Sequence, residues 1–215
     1  MLPRVTHCVN RVMPYHRGMP DSLAERKRRL VSEELREVAL QLLAAKGYDE
    51  TTVDEIAAAA GMSRRTFHRY YASKEDVVIQ LLADVGDQVV AELAARPPSE
   101  PPAVALRQAV GVAIDVCAGH HDRVKLLAVI QLILRTPTLH ARFLERQSTS
   151  APDMTTVLAT RLGLDPADLF PDMAVRMAFA AFNAVLQRWV ASNGDLDPQQ
   201  LTDQAFELLA PALGR

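Results

Sequence analysis

Residues 51–76, TTVDEIAAAAGMSRRTFHRYYASKED, constrain this chain more than any other stretch, because they spell two short helices about a glycine turn. Ile56 and Ala57 form the apolar face of the first helix, and Met62, Phe67 and Tyr70 bury the second against it. Ala57 is the small residue needed where the helices cross, and Gly61 the residue that tolerates positive φ in the turn. Ser63 offers its hydroxyl as N-cap to the second helix, which opens on Arg64, Arg65 and Thr66.

That spacing predicts a helix-turn-helix, in which the start of the second helix enters the DNA major groove and an arginine can fork onto guanine O6 and N7. His68, Arg69, Tyr70, Tyr71 and Lys74 follow, mixing hydrogen-bond donors with aromatics. Thr51 and Thr52 cap the first helix and are placed to hold phosphate, a contact that sets register rather than sequence. The bland alternative makes Arg64 and Arg65 a solvated charged face. It leaves unexplained why glycine, cap, apolar spacing and basic cluster all agree on one geometry.

The same residues resemble the DNA-binding domain of TetR-type transcriptional regulators. The resemblance rests on Thr52, Val53, Ile56, Ala57, Ala60, Gly61, Ser63, Thr66, Phe67, Tyr70, Ser73, Lys74 and Glu75. His68 departs from the aromatic usual at its position, and Tyr71 stands where phenylalanine is common. The resemblance implies a phosphate contact for His68, with a pH-dependent hold; a structural role is the alternative.

Charge supports this reading. The whole chain carries 24 Lys and Arg against 26 Asp and Glu, but residues 1–75 hold 13 against 10 and residues 76–215 hold 11 against 16. A basic end on an acidic body steers phosphate to one surface. Cys8 and Cys117 lie far apart with no metal-type pairing, which fits a reducing cytoplasm. The first twenty residues lack the apolar run of a signal peptide, and the apolar run 126–134 is interrupted by Gln131 and too short to span a bilayer. The expectation is a cytoplasmic protein with no membrane partner. Residues 1–20 hold three prolines and no acidic residue, and are expected to be a leader without fixed structure; with Arg26, Lys27, Arg28 and Arg29 behind them, the functional alternative is a basic arm in a minor groove.

The rest predicts an all-α chain of about nine helices: a three-helix DNA-binding domain over 21–73 and a helical ligand-binding and dimerisation domain over 74–215. Leu35, Val38, Ala39 and Leu42 repeat along a first helix of about 22–46, with Gly47 as its C-cap. Ser73 caps a fourth helix of about 74–95, the natural lever between head and body. Prolines 97, 98, 101 and 102 force a break, and helices follow at about 103–118 and 122–135. Thr136-Pro137 starts the next, which Pro152 is expected to interrupt within 148–153; Asp165-Pro166 and Asp197-Pro198 start the last two, about 167–192 and 198–213. No glycine-rich phosphate loop, nucleophile elbow, paired catalytic carboxylates or HExxH motif is present, so the expectation is no enzyme and no cofactor.

Segments 126–134 and 177–190 are apolar on more than one face, as helices lining a core or an interface must be. The run LILRTPTLHARFLERQ, residues 132–147, resembles a subgroup of TetR-type proteins with acyl-CoA-like ligand-binding domains, including regulators associated with mycofactocin systems. The resemblance implies a homodimer on near-palindromic double-stranded DNA, released by a small hydrophobic or acyl-CoA-like effector, with the last two helices pairing between subunits. Leu127, Ile130, Leu134, Phe143, Met177, Phe179 and Phe182 become candidate walls around an acyl chain, and Arg135, Arg142 and Arg146 candidate anchors. Plain core packing and a solvated arginine face are the alternatives. Trp189 belongs either to the pairing face or to the core. Two further readings are an activator, and a metal or redox sensor built on Cys117 with His120 or His121.

Overall fold

A computed structural model describes residues 22–118 and 123–214, and nine α-helices account for nearly all of them. The helices are α1 Leu23–Lys46, α2 Val53–Ala59, α3 Arg64–Tyr70, α4 Lys74–Ala95, α5 Pro102–Ala118, α6 Arg123–Arg135, α7 Pro137–Leu162, α8 Leu169–Ala191 and α9 Pro198–Leu213. No strand occurs among the described residues. The leader expected over 1–20 lies outside them.

Local chemistry sets most of these ends. Ser22 and Glu25 satisfy each other's backbone N–H groups in a capping box at α1, and Thr52 and Glu55 do the same at α2. Ser63 and Ser73 accept from the third residue of α3 and α4. Gly47 ends α1 at φ +92, and Gly61 makes the turn between α2 and α3 at φ +65. Asp197 accepts from the Gln199 N–H at the start of α9, whose first residue is Pro198.

One expected boundary fails. Pro152 does not interrupt α7, which runs unbroken from Pro137 to Leu162. An interior proline costs a helix about 3 kcal/mol in isolation. Here Pro152 and Ser148, whose carbonyl loses its N–H partner, both sit on the solvent face, where water can serve that carbonyl. The opposite face buries Ser150, Ala151, Met154 and Thr155, and that packing holds the helix through the proline. Helix α8 starts at Leu169, close to the expected position, after Asp165 and Asp168 close a turn: Asp165 accepts from Ala167 N–H, and Asp168 accepts from Asp165 N–H.

Three apolar clusters stack along the molecule. The head core joins α1, α2, α3 and α4 through Leu35, Ala39, Ile56, Ala57, Phe67, Tyr71 and Val77. A middle cluster brings Leu40 and Leu43 of α1 and Val78 of α4 onto Ile114, Ile130, Ile133, Phe143, Leu186 and Trp189. The body core unites α4, α5, α7, α8 and α9. Helix α4 takes part in all three, and it packs chiefly on α7 and α5. Trp189 is fully buried in the middle cluster, so it belongs to the core within one chain. By length and composition α8 could cross a membrane, yet Ala174, Val175, Ala178, Val185, Leu186 and Trp189 are buried in the bundle.

Candidate nucleic-acid interface and body cavity

The crossing of α2 and α3 is held by Ala57, whose carbonyl accepts from Met62 N–H at 2.8 Å, and by Gly61, whose N–H donates to Ala58 at 3.0 Å. Phe67 is buried beneath the crossing, which turns the opposite face of α3 to solvent. Arg64, Arg65, His68 and Arg69 are exposed there, and Thr66 and Tyr70 are half-buried beside them. Arg64 Nη1 pairs with Asp54 Oδ2 across the turn at 3.2 Å, with both side chains about two-thirds exposed. A pair so solvated contributes little and yields readily to a phosphate or a base. Arg69 donates to the Tyr70 hydroxyl at 3.2 Å and lies over its ring at 5.0 Å, which stiffens both. His68 sits edge-on to Phe67 with ring centroids 5.5 Å apart.

Two of the candidate contact residues, Thr51 and Lys74, and the neighbouring Tyr71 are engaged within the protein. Thr51 is 1% exposed; its hydroxyl donates to Gly47 O at 2.8 Å, so no phosphate can reach it. Lys74 Nζ donates to the Tyr48 carbonyl and to the Thr51 carbonyl at 2.9 Å, and lies 4.1 Å from the Tyr48 ring centroid. It ties the start of α4 to the α1–α2 loop, helped by a hydrogen bond from Tyr48 Oη to Glu75. Tyr71 is buried in the head core and bonds to Ser32. Thr52 and Ser63 remain exposed while serving as caps. The Lys46 ammonium, 2.7 Å away, lowers the Glu55 carboxyl to about 2, helped by the Thr52 backbone and hydroxyl.

The body holds a partly open cavity of about 80 Å³ between α4, α5, α6, α7 and α8. Ile130, Phe143, Phe179, Phe182 and Arg146 line it, as the sequence suggested. Leu127, Leu134 and Met177 are not on its wall. Leu127 and Leu134 pack on the middle cluster, and Met177 on the body core, because the cavity face of α6 runs through Val129, Ile130 and Ile133 instead. Arg142 pairs with Glu145 at 2.8 Å on the surface, and Arg135 is exposed. Sequence reasoning missed the α4 wall, Leu81, Leu82, Val85, Gly86 and Val89. The available signal was Gly86, a glycine in a helix interior, which permits Ser150 and Arg146 of α7 to lie close against the α4 backbone. The Cys117, His120 and His121 side chains lie outside the described residues. Among the described residues no group of three His, Cys, Asp or Glu could hold a metal.

A basic helix-turn-helix carried on an α-helical body defines a DNA-binding transcriptional regulator. The chain belongs to the tetR family of bacterial regulatory proteins: the family's N-terminal domain matches residues 35–81, and the MftR C-terminal domain matches residues 100–214. It is 32% identical over 209 residues to the HTH-type transcriptional regulator TcmR of Streptomyces glaucescens, covering 93% of this chain and 92% of that one. Among solved structures it is similar to the fatty acid degradation regulator FadR from Bacillus halodurans, with TM-score 0.64 and 25% identity over 86% of this chain and 97% of that one. FadR from Bacillus subtilis, in complex with stearoyl-CoA, shares the fold with TM-score 0.63 at 23% identity over 82% of this chain and 96% of that one. The family is one of transcriptional regulators, not of enzymes.

Proposed function

We propose that the protein is a ligand-responsive repressor that binds a near-palindromic operator as a homodimer and leaves it when a small hydrophobic or acyl-CoA-like effector enters the body cavity. The observation that carries this reading is the position of α4. Its first turn is clamped to the DNA-binding head by Lys74 and Val77, and two to four turns later Leu81, Val85, Gly86 and Val89 form a wall of the cavity. A molecule that enlarges the cavity pushes the same helix that holds α3.

In this reading Arg64, Arg65, Thr66, His68 and Arg69 meet the major groove and its flanking phosphates, and Thr52 and Ser63 lie near the backbone. Homodimerisation is supported by α8 and α9. Met173, Arg176, Ala180, Ala184 and Gln187 leave an exposed stripe on α8 with small residues at its centre, and Leu208 of α9 is exposed as well. Two copies joined there carry two recognition helices, spaced by one DNA turn of about 34 to 36 Å or a multiple of it. The effector class is supported by the apolar wall and by a structure of the same fold that holds stearoyl-CoA. An effector that favours the released conformation by about 1 to 3 kcal/mol weakens DNA binding roughly 5- to 150-fold.

Fluorescence anisotropy of the protein on its own promoter DNA, at fixed salt and across a chain-length series of acyl-CoAs, tests the reading. Release at one range of chain lengths is expected. Tight binding that no acyl-CoA alters would leave the DNA-binding reading and remove the acyl-CoA one.

A further inference from the structure

An open groove runs between α1 and α4, and Tyr70 at the end of α3 forms part of its wall. Three carboxylates line it, and each has a partner: Glu25 closes the Ser22 cap, Glu33 pairs with Arg29 at 3.9 Å, and Asp84 pairs with Arg36 at 2.6 Å. Arg28 lines the same groove differently. It is exposed and makes no side-chain hydrogen bond or ion pair among the described residues.

This groove is continuous with the DNA-facing surface of α3. Arg69, on the exposed face of α3, lies over the Tyr70 ring at 5.0 Å, and Tyr70 and Arg28 share the groove. Ser32, one turn on from Arg28, accepts through its carbonyl from the Tyr71 hydroxyl at 2.9 Å, which fixes α1 against the recognition helix. The charge of α1 needs a counterpart. Arg26, Lys27, Arg28 and Arg29 put four cations into the first two turns, at the positive end of the helix dipole, and Glu25 is the acidic residue of the first turn. A polyanion alongside relieves that repulsion.

On the reading that α3 enters the major groove, we propose that Arg28 holds a phosphate of the DNA backbone flanking it, so that α1 extends the DNA contact past the end of α3. A phosphate contact adds affinity and register but no base preference. Arg26 stands about 200° round α1 from Arg28 and does not line the groove, so it takes no part.

Fluorescence anisotropy of the full-length protein over a salt series, on its promoter DNA and on an unrelated duplex, tests this. Each phosphate contact adds about 0.9 to the slope of log affinity against log salt. Arg28→Ala is expected to lower that slope by about one and to weaken both duplexes by the same factor. Arg28→Lys keeps the charge and should keep the slope. Arg26→Ala removes an equal charge from the far side of the same turn and should leave the slope nearly unaltered. Both positions are exposed, and unchanged melting curves show that the variants are folded. An unchanged slope in Arg28→Ala overturns the inference, as does an equal fall in Arg26→Ala, the mark of a diffuse charge effect, or a loss confined to the promoter duplex, the mark of a base contact. Arg65→Ala in the same series separates this inference from the reading it rests on. Weaker binding there, with none in Arg28→Ala, leaves α3 in the groove and removes α1 from the interface; no effect of either removes both.

Discussion

Tyr71, the residue that ends α3, reaches back 39 positions to Ser32 on α1: its hydroxyl donates to the Ser32 carbonyl at 2.9 Å and lies 2.8 Å from Ser32 Oγ. The recognition helix is therefore tied to α1 as well as packed on it. Tyr71→Phe should keep the ring packing against Phe67 and lose the hydrogen bonds, lowering stability by about 0.5 to 1.5 kcal/mol in urea unfolding. Burial pushes the Tyr71 phenol above its usual range. An acid whose folded value is raised contributes stability that is intact below the unfolded value, about 10, and fades as pH rises past it. The unaltered protein should lose stability above that pH more steeply than the phenylalanine variant.

Glu55 gives the opposite sign. Its carboxyl is held at about 2, chiefly by Lys46 and then by the Thr52 cap, against an ordinary value of 4.5. A depressed acid stabilises above its unfolded value and loses that contribution as pH falls through the folded one. Glu55→Gln should lower the melting temperature near neutral pH. The gap from the unaltered protein should close between about pH 4.5 and 2, and a gap constant over that window would contradict the assignment.

Arg65 and Lys74 are both basic residues of the head, and they should fail differently. Arg65 is exposed on α3, so Arg65→Ala is expected to weaken operator binding and reduce the salt slope by about one for a phosphate contact, or to relax base preference for a groove contact. Lys74 is occupied by the Tyr48 and Thr51 carbonyls, so Lys74→Met should lower thermal stability and leave the salt slope unchanged. Anisotropy over a salt series, beside a melting curve, separates the two.

Pro152→Ala should stabilise the protein. It restores an N–H to the Ser148 carbonyl in a helix already held on both sides, and relieves part of the roughly 3 kcal/mol that an interior proline costs. A gain of about 1 to 3 kcal/mol in chemical unfolding is expected, since the packed face of α7 does not change.

The caps and turns of the head and the fourth helix were legible in the sequence because they depend on neighbours three or four residues apart. Thr52, Ser63, Ser73, Gly47 and Gly61 each act within one helical turn, and all of them stand where their spacing predicts. The cap at Thr136 is a half-exception: the helix starts there, on Pro137, without a side-chain hydrogen bond. The basic face of α3 was legible for a related reason, since Phe67 points inward and the arginines beside it then have to point out.

Tertiary packing decided the rest. A threonine, lysine or tyrosine near DNA-facing residues looks the same in sequence whether it meets phosphate or a backbone carbonyl. Only the approach of the α1–α2 loop to α4 assigns Lys74 to Tyr48, and only the closure of α1 over α3 buries Tyr71. The cavity wall moved from Leu127, Leu134 and Met177 to α4 because helical periodicity gives an apolar face but not the rotation that face adopts against its neighbours. Pro152 was misjudged for the same reason: a local penalty is visible in one residue, whereas the burial that outweighs it is spread over four partners on the far side of α7.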